Sequence, residues 1–160
     1  MNGLSSNSIS ELLALHIAII EELRERGVLR SANNPTGDLA EYLFCAAFGW
    51  AQENNSAKAV DAKGDDGTCY QIKGRRVHRR NRSRQLSAIR DLEGFGILAV
   101  VLFDDNYHIM RAALIPVDVV REYSTYIKHT NSHKLLLRDG IWDVPGVKDV
   151  TEQLRAVRWG

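Results

Sequence analysis

The feature that most narrows the fold is the run Ile97–Phe103, ILAVVLF, seven apolar residues with no polar interruption. A strand with one wet face alternates apolar and polar residues. An unbroken apolar run of this length is typical of a strand covered on both faces. A sheet covered on both faces needs a layer above it and a layer below, and the flanking sequence supplies segments of helical period for both.

At the N-terminus, Ser8 followed by Glu11 has the spacing of a capping box. Ile9, Leu12, Leu13, His16, Ile19, Ile20 and Leu23 then recur with helical periodicity until Gly27. After the break at 33–37, Asn34 or Thr36 caps a second helix over 38–48. Its apolar face holds Leu39, Leu43, Ala46 and Ala47, it contains Glu41, and Gly49 stops it. A weak strand is expected over 50–53, a second over 57–61, a turn at Gly64-Asp65-Asp66-Gly67 and a return strand over 68–73. Residues 83–92 are expected to be helical, with Gly94 and Gly96 ending the segment. Beyond the buried run, Asp104-Asp105-Asn106 turns into a strand over 107–114. Pro116 opens a helix through Tyr126, a loop holds His129, Asn131 and His133, and an amphipathic segment spans 150–157.

This order predicts an α/β fold, a three-layer sandwich with a central mixed β-sheet flanked by helices. A chain of 160 residues fits a single domain. It divides into an N-terminal helix (1–30), a core (31–128) and a C-terminal extension packed on the core (129–160).

The net charge of +1 says little, but its distribution says more. Residues 73–90 hold one Lys, seven Arg and no acid, which is +8, so the remainder carries −7. A basic island on an acidic chain points to a polyanionic ligand. Cys45 and Cys69, with apolar neighbours and no Cys-x-x-Cys spacing, read as buried reduced thiols, which fits a cytoplasmic protein. No secretory signal and no membrane span is expected: His16 interrupts the apolar run of the first helix, and acids flank it. His129 and His133 stand four apart, but Thr130, Asn131 and Ser132 between them favour a loop over a metal-binding helix. His16 and His108 are assigned structural roles.

The hairpin carries the chemistry. On a strand, Gln71 and Lys73 share one face and Ile72 the other. A symmetric turn pairs Asp61 with Tyr70; a one-residue bulge at Gly64 or Gly67 brings Asp61 opposite Gln71. Either register gathers Asp61, Gln71 and Lys73, with Glu41 leaning over the same edge from the preceding helix.

An acid on a helix, then Asp, a turn, and (Glu/Gln)-x-Lys resembles the PD-(D/E)XK nuclease superfamily, which includes restriction endonucleases, Holliday-junction resolvases and repair nucleases. The resemblance spans 37–114. Asp61 matches its metal-binding Asp, Gln71 its second acidic position, Lys73 its Lys and Glu41 the first-helix Glu. Two departures stand out: Val60 replaces the Pro, and Gln71 replaces the acid, as in the Mrr-like branch. An amide oxygen coordinates Mg²⁺ without adding charge.

The resemblance implies a restriction-endonuclease-like fold and a Mg²⁺-dependent endonuclease, with Mn²⁺ as a substitute. The ion would be held by Asp61, Gln71, the Ile72 carbonyl and Glu41, and Lys73 would stabilise the transition state. Arg75, Arg76, Arg79, Arg80, Arg82 and Arg84 follow the catalytic strand and would neutralise phosphates, DNA being the expected partner. The chain's small size points to a homodimer or another partner, since one site cuts one strand. Two other readings remain open: a nucleic-acid-binding module on the same fold without chemistry, and an interaction protein using the N-terminal helix and the 150–157 segment.

Overall fold

The computed structural model of the protein describes residues 3–54 and 59–159. Helix α1 spans Ile9–Glu25. The Ser8 side chain accepts from the Glu11 N–H at 3.3 Å, and the Ser8 N–H donates to the Glu11 carboxylate at 2.6 Å, closing the capping box. Helix α2 spans Pro35–Phe48, with Pro35 in its first turn and Asn34 as its cap. It ends at Gly49, whose φ of 67° is the left-handed conformation that terminates helices.

Six strands form one mixed sheet: β1 (Ala51–Gln52), β2 (Ala62–Lys63), β3 (Cys69–Arg76), β4 (Ile97–Phe103), β5 (Ile109–Pro116) and β8 (Lys148–Asp149), in the order β1-β2-β3-β4-β5-β8. Only β3 and β4 run parallel; the other neighbours are antiparallel. Between β5 and β8 lie helix α3 (Val117–Tyr123) and a separate hairpin of β6 (Thr125–Ile127) and β7 (Ser132–Lys134). Helix α4 (Thr151–Arg155) closes the chain. The protein is therefore mixed α/β, with four α-helices and a second small sheet among the described residues.

The apolar run is the centre of the sheet. From Leu98 to Phe103 every residue is buried. Ala99, Val101 and Phe103 face α2 and α4 together with Ile72 of β3 and Ala112 of β5. Leu98, Val100 and Leu102 face the opposite layer, which includes Leu86, Ile89, Leu92, Val120, Leu135 and Trp142. Gly74 lets α2 approach β3: a Cβ there would lie 2.9 Å from both the Ala40 Cβ and the Thr36 carbonyl oxygen.

That second layer departs from expectation. Residues 83–92 form no helix. The segment is extended, with Gln85 bridged to Leu136 and Ile89 to His133. Leu86 donates its N–H to Leu135 at 3.0 Å, and Ile89 exchanges two backbone hydrogen bonds with His133. Leu86, Ile89 and Leu92 recur every third residue, a spacing shared by helices and by loosely coiled extended chain; the partner at 133–136 decides between them.

Other boundaries also move. The helix expected from Pro116 to Tyr126 stops at Tyr123, and the loop holding His129, Asn131 and His133 is the β6–β7 hairpin. Asn131 occupies the left-handed region at φ 44°, which suits its turn. The strand expected over 107–114 starts at Ile109 and runs to Pro116, because Tyr107 turns at φ 63°. The strand expected over 57–61 falls partly on 55–58, outside the described residues; its described part, 59–61, is not strand, and β2 starts only at Ala62. Cys45 and Cys69 are half-buried rather than buried. His16 is exposed, and His108 is held by Asp104 on the surface, at 3.0 Å. None of the described helices is long and apolar enough to cross a membrane.

Candidate metal centre and its basic surround

The β2–β3 turn sets the register of the site. The Gly64 N–H donates to Thr68 and the Gly67 N–H to Gly64, each at 3.0 Å, and Gly67 adopts φ 82°. Ala62 consequently pairs with Tyr70 and Lys63 with Cys69. Continued by one residue, this register sets Asp61 level with Gln71, the bulged alternative and not the symmetric one. The Asp61 N–H donates to the Tyr70 carbonyl at 2.8 Å, and the Ile72 N–H donates to the Asp61 carboxylate at 2.7 Å.

Gln71 and Lys73 are registered beside Leu98 and Val100, on the face opposite α2. Gln71 is buried, and its side-chain oxygen has no hydrogen-bond partner among the described residues. Lys73 Nζ donates to the Ala88 carbonyl at 3.3 Å, which ties the extended crossover to the candidate site. Glu41 comes from α2 and is held by the side-chain amide of Gln52, on β1, at 2.8 Å.

The electrostatics are those of a cluster short of positive charge. Burial pushes the Asp61 carboxyl above its usual range, and the Ile72 N–H and Lys73 pull it back only in part. Burial raises Glu41 too; Gln52 opposes the rise, and the nearby Asp61 charge adds to it. Burial lowers Lys73, against the pull of Asp61, while Arg90 lowers it further. Desolvation thus dominates at both carboxyls, the situation that a bound cation relieves; the same cation would hold Lys73 lower still.

A hard divalent ion takes oxygen donors. Asp61, Glu41 and the unpartnered Gln71 amide oxygen are donors of that kind, and they fit the group the sequence implies. Among the described residues, no three His, Cys, Asp or Glu side chains gather as a metal site. The candidate set here is two carboxylates with an amide and a main-chain oxygen.

The Arg residues divide into three groups. Arg75 and Arg76 continue β3 and line, with Asn34, Thr36, His78 and Asn81, a polar pocket of about 200 Å³. Arg75 Nε donates to the Ser83 carbonyl at 2.9 Å, and Arg76 donates twice to the Asp105 carbonyl and stacks over Tyr107. Arg79, Arg80 and Arg82 are exposed, with no side-chain hydrogen bond or ion pair among the described residues. Arg84 turns to Asp139, with which it pairs at 2.7 Å. A wider pocket of about 700 Å³ lies elsewhere, between the β6–β7 hairpin and residues 138–144, and none of the expected site residues lines it.

Two residues the sequence did not single out enter the site. Gln52 positions Glu41, and its signal was only a weak strand next to a charged helix. Arg90 bears on Lys73 and was visible only as one member of the basic stretch. No protein-family model matches the chain, and no curated protein matches it in sequence.

Proposed function

We propose that the protein is a divalent-metal-dependent nuclease hydrolysing phosphodiester bonds, acting on DNA with Mg²⁺ or Mn²⁺, on a restriction-endonuclease-like variant of the α/β fold. The observation that carries the reading is the buried, unpartnered oxygen of Gln71 next to Asp61 and Lys73. A buried acceptor without a donor costs roughly 1–3 kcal/mol, and a cation shared with Asp61 accounts for it. The order of elements supports the finer fold assignment: an acid-bearing helix, Asp61, a turn, and Gln-x-Lys on the strand pairing with the central one.

When bound, the ion would supply Lewis acidity toward a phosphate oxygen and a water of lowered pKa. Asp61 and Glu41 supply the negative charge that retains it, and the Ile72 N–H keeps Asp61 oriented. Lys73 donates to a phosphate oxygen and stabilises charge that builds there in the transition state. Arg79, Arg80 and Arg82 neutralise backbone phosphates along the strand leading in.

The test is cleavage by wild type and Lys73→Ala of plasmid, linear, single-stranded and branched DNA, in Mg²⁺ or Mn²⁺ against EDTA. Metal-dependent cutting that the substitution abolishes is the expected result. The uncharged Gln71 favours one alternative, a nucleic-acid-binding module without chemistry. That reading takes over if no substrate is cut while the protein retards DNA in EDTA with a steep salt dependence.

A further inference from the structure

We propose that the apolar face of α1 is a self-association surface, and that its occupant is a second copy of this chain packed α1 against α1. Not one residue of α1 is buried. Ile9 is 80% exposed, Ile17 61%, and Leu13 and Ile19 58% each. At 100° per residue these side chains, with Leu12 and Leu15, fall within one arc covering roughly half of the helix circumference, centred on His16. The opposite arc carries Glu11, Glu21, Glu22 and Glu25, with Ala14 and Ala18.

Such a helix owes its stability to what covers its apolar face, since caps and surface ion pairs contribute little. Among the described residues its own chain half-covers only Ile20, Leu23 and Arg24, at the C-terminal end. It is anchored only at the C-terminal end, where Arg24 reaches the Ser31 carbonyl and Asp38 of α2 accepts from the Arg30 and Ser31 N–H groups.

Three observations choose the occupant. The charged residues of the polar arc are all Glu, and the nearby Arg24 and Arg26 are spent pairing Glu21 and Glu22, which is wrong for nucleic acid and for an anionic lipid surface, both of which select basic helices. Six Leu and Ile side chains of α1, each 37–80% exposed, supply apolar area of the kind that a stable interface of ~800 Å² per partner draws on. Ile9, His16 and Leu23 with Leu12 and Ile19 follow a seven-residue repeat, the pattern by which like helices pair. A closed two-fold pair buries the same seam on both copies.

The experiment is sedimentation equilibrium of the full chain at micromolar concentration, comparing wild type with Leu12→Glu/Ile19→Glu. The fold of each is checked by circular dichroism and thermal melting. Wild type is expected at twice the protomer mass or a higher even multiple, and the double variant at the protomer mass with an unchanged spectrum outside α1. His16→Cys provides a second readout: mild oxidation is expected to give a disulfide-linked dimer that wild type, with Cys45 and Cys69 alone, does not give. Wild type at the protomer mass overturns the proposal. So does an oligomer that the double variant leaves intact, or binding to neutral phospholipid vesicles in place of self-association. Neither readout uses metal or DNA, so this inference and the nuclease reading fail separately.

Discussion

The carboxylate of Asp61 accepts the backbone N–H of Ile72 at 2.7 Å, a contact between the residue before one strand and the middle of the next. It fixes the rotation of the Asp61 side chain toward β3. It also occupies only one of the two carboxylate oxygens, leaving the other free of hydrogen-bond donors among the described residues. Asp61 is thereby oriented while its charge stays buried, and that burial holds its carboxyl above the usual range.

The first prediction concerns Gln71. Replacing its orphaned amide by Leu is expected to raise stability in EDTA by about 1 kcal/mol, because the unsatisfied acceptor is gone. The same change is expected to remove any rise in melting temperature on adding Mg²⁺ or Mn²⁺, whereas Gln71→Glu enlarges that rise. Thermal melts of the three proteins with and without metal check this; a Gln71→Leu protein that is still stabilised by metal would place the ion elsewhere.

Gly74→Ala tests how α2 is seated. The added Cβ would meet Ala40 and the Thr36 carbonyl at 2.9 Å, one of them main chain that cannot swing aside. A loss of about 1–3 kcal/mol is expected from overpacking, measured by urea unfolding. Because α2 carries Glu41, the proposed metal-dependent cleavage is expected to fall as well.

Among the Arg residues, the structure separates the free from the engaged. Arg79→Ala/Arg80→Ala/Arg82→Ala is expected to weaken DNA binding. Its salt slope should flatten by roughly one for each phosphate no longer neutralised. Arg84→Ala, whose guanidinium is already paired with Asp139, is expected to leave the slope nearly unchanged. Titrations at several salt concentrations distinguish them; equal effects would contradict the division.

Asp149 gives a pH dependence remote from the site. Burial is the largest single influence and raises its carboxyl, but hydrogen bonds from the Thr151 side chain and N–H, together with Arg111, outweigh it in sum and bring it below the ordinary value. A carboxyl depressed on folding stabilises above its unfolded pKa, and the contribution is lost as pH falls through the folded one. Asp149→Asn is therefore expected to lower stability slightly at neutral pH, by under about 1 kcal/mol for so exposed a pair, and to make no difference in strongly acidic buffer. Thermal melts across that pH range check the sign.

What the sequence made legible were features decided locally. The ILAVVLF strand, the capping box at Ser8 and the Gly49 stop are each settled by a few neighbouring residues, and all three are present. The meeting of Asp61 with Gln71 was legible to within one residue, and Gly67 at φ 82° selected between the two registers. Features decided by distant partners were not legible. The 83–92 segment is extended because of His133 and Leu136, and Arg90 bears on Lys73 because that segment is not helical. Glu41 needs Gln52, from a strand too short to be read with definition.

The parallel pairing of β3 with β4 has a kinetic corollary. Antiparallel neighbours zip from a tight turn, but a parallel pair forms only after its whole crossover has closed, and such non-local pairings are slow. Here the crossover is the cationic stretch itself, whose like charges resist being brought together. Lys73 therefore takes its place beside the central strand late, and the nascent chain displays its Arg side chains before β3 is locked against β4. Screening by salt, which weakens ligand binding, should for the same reason hasten refolding.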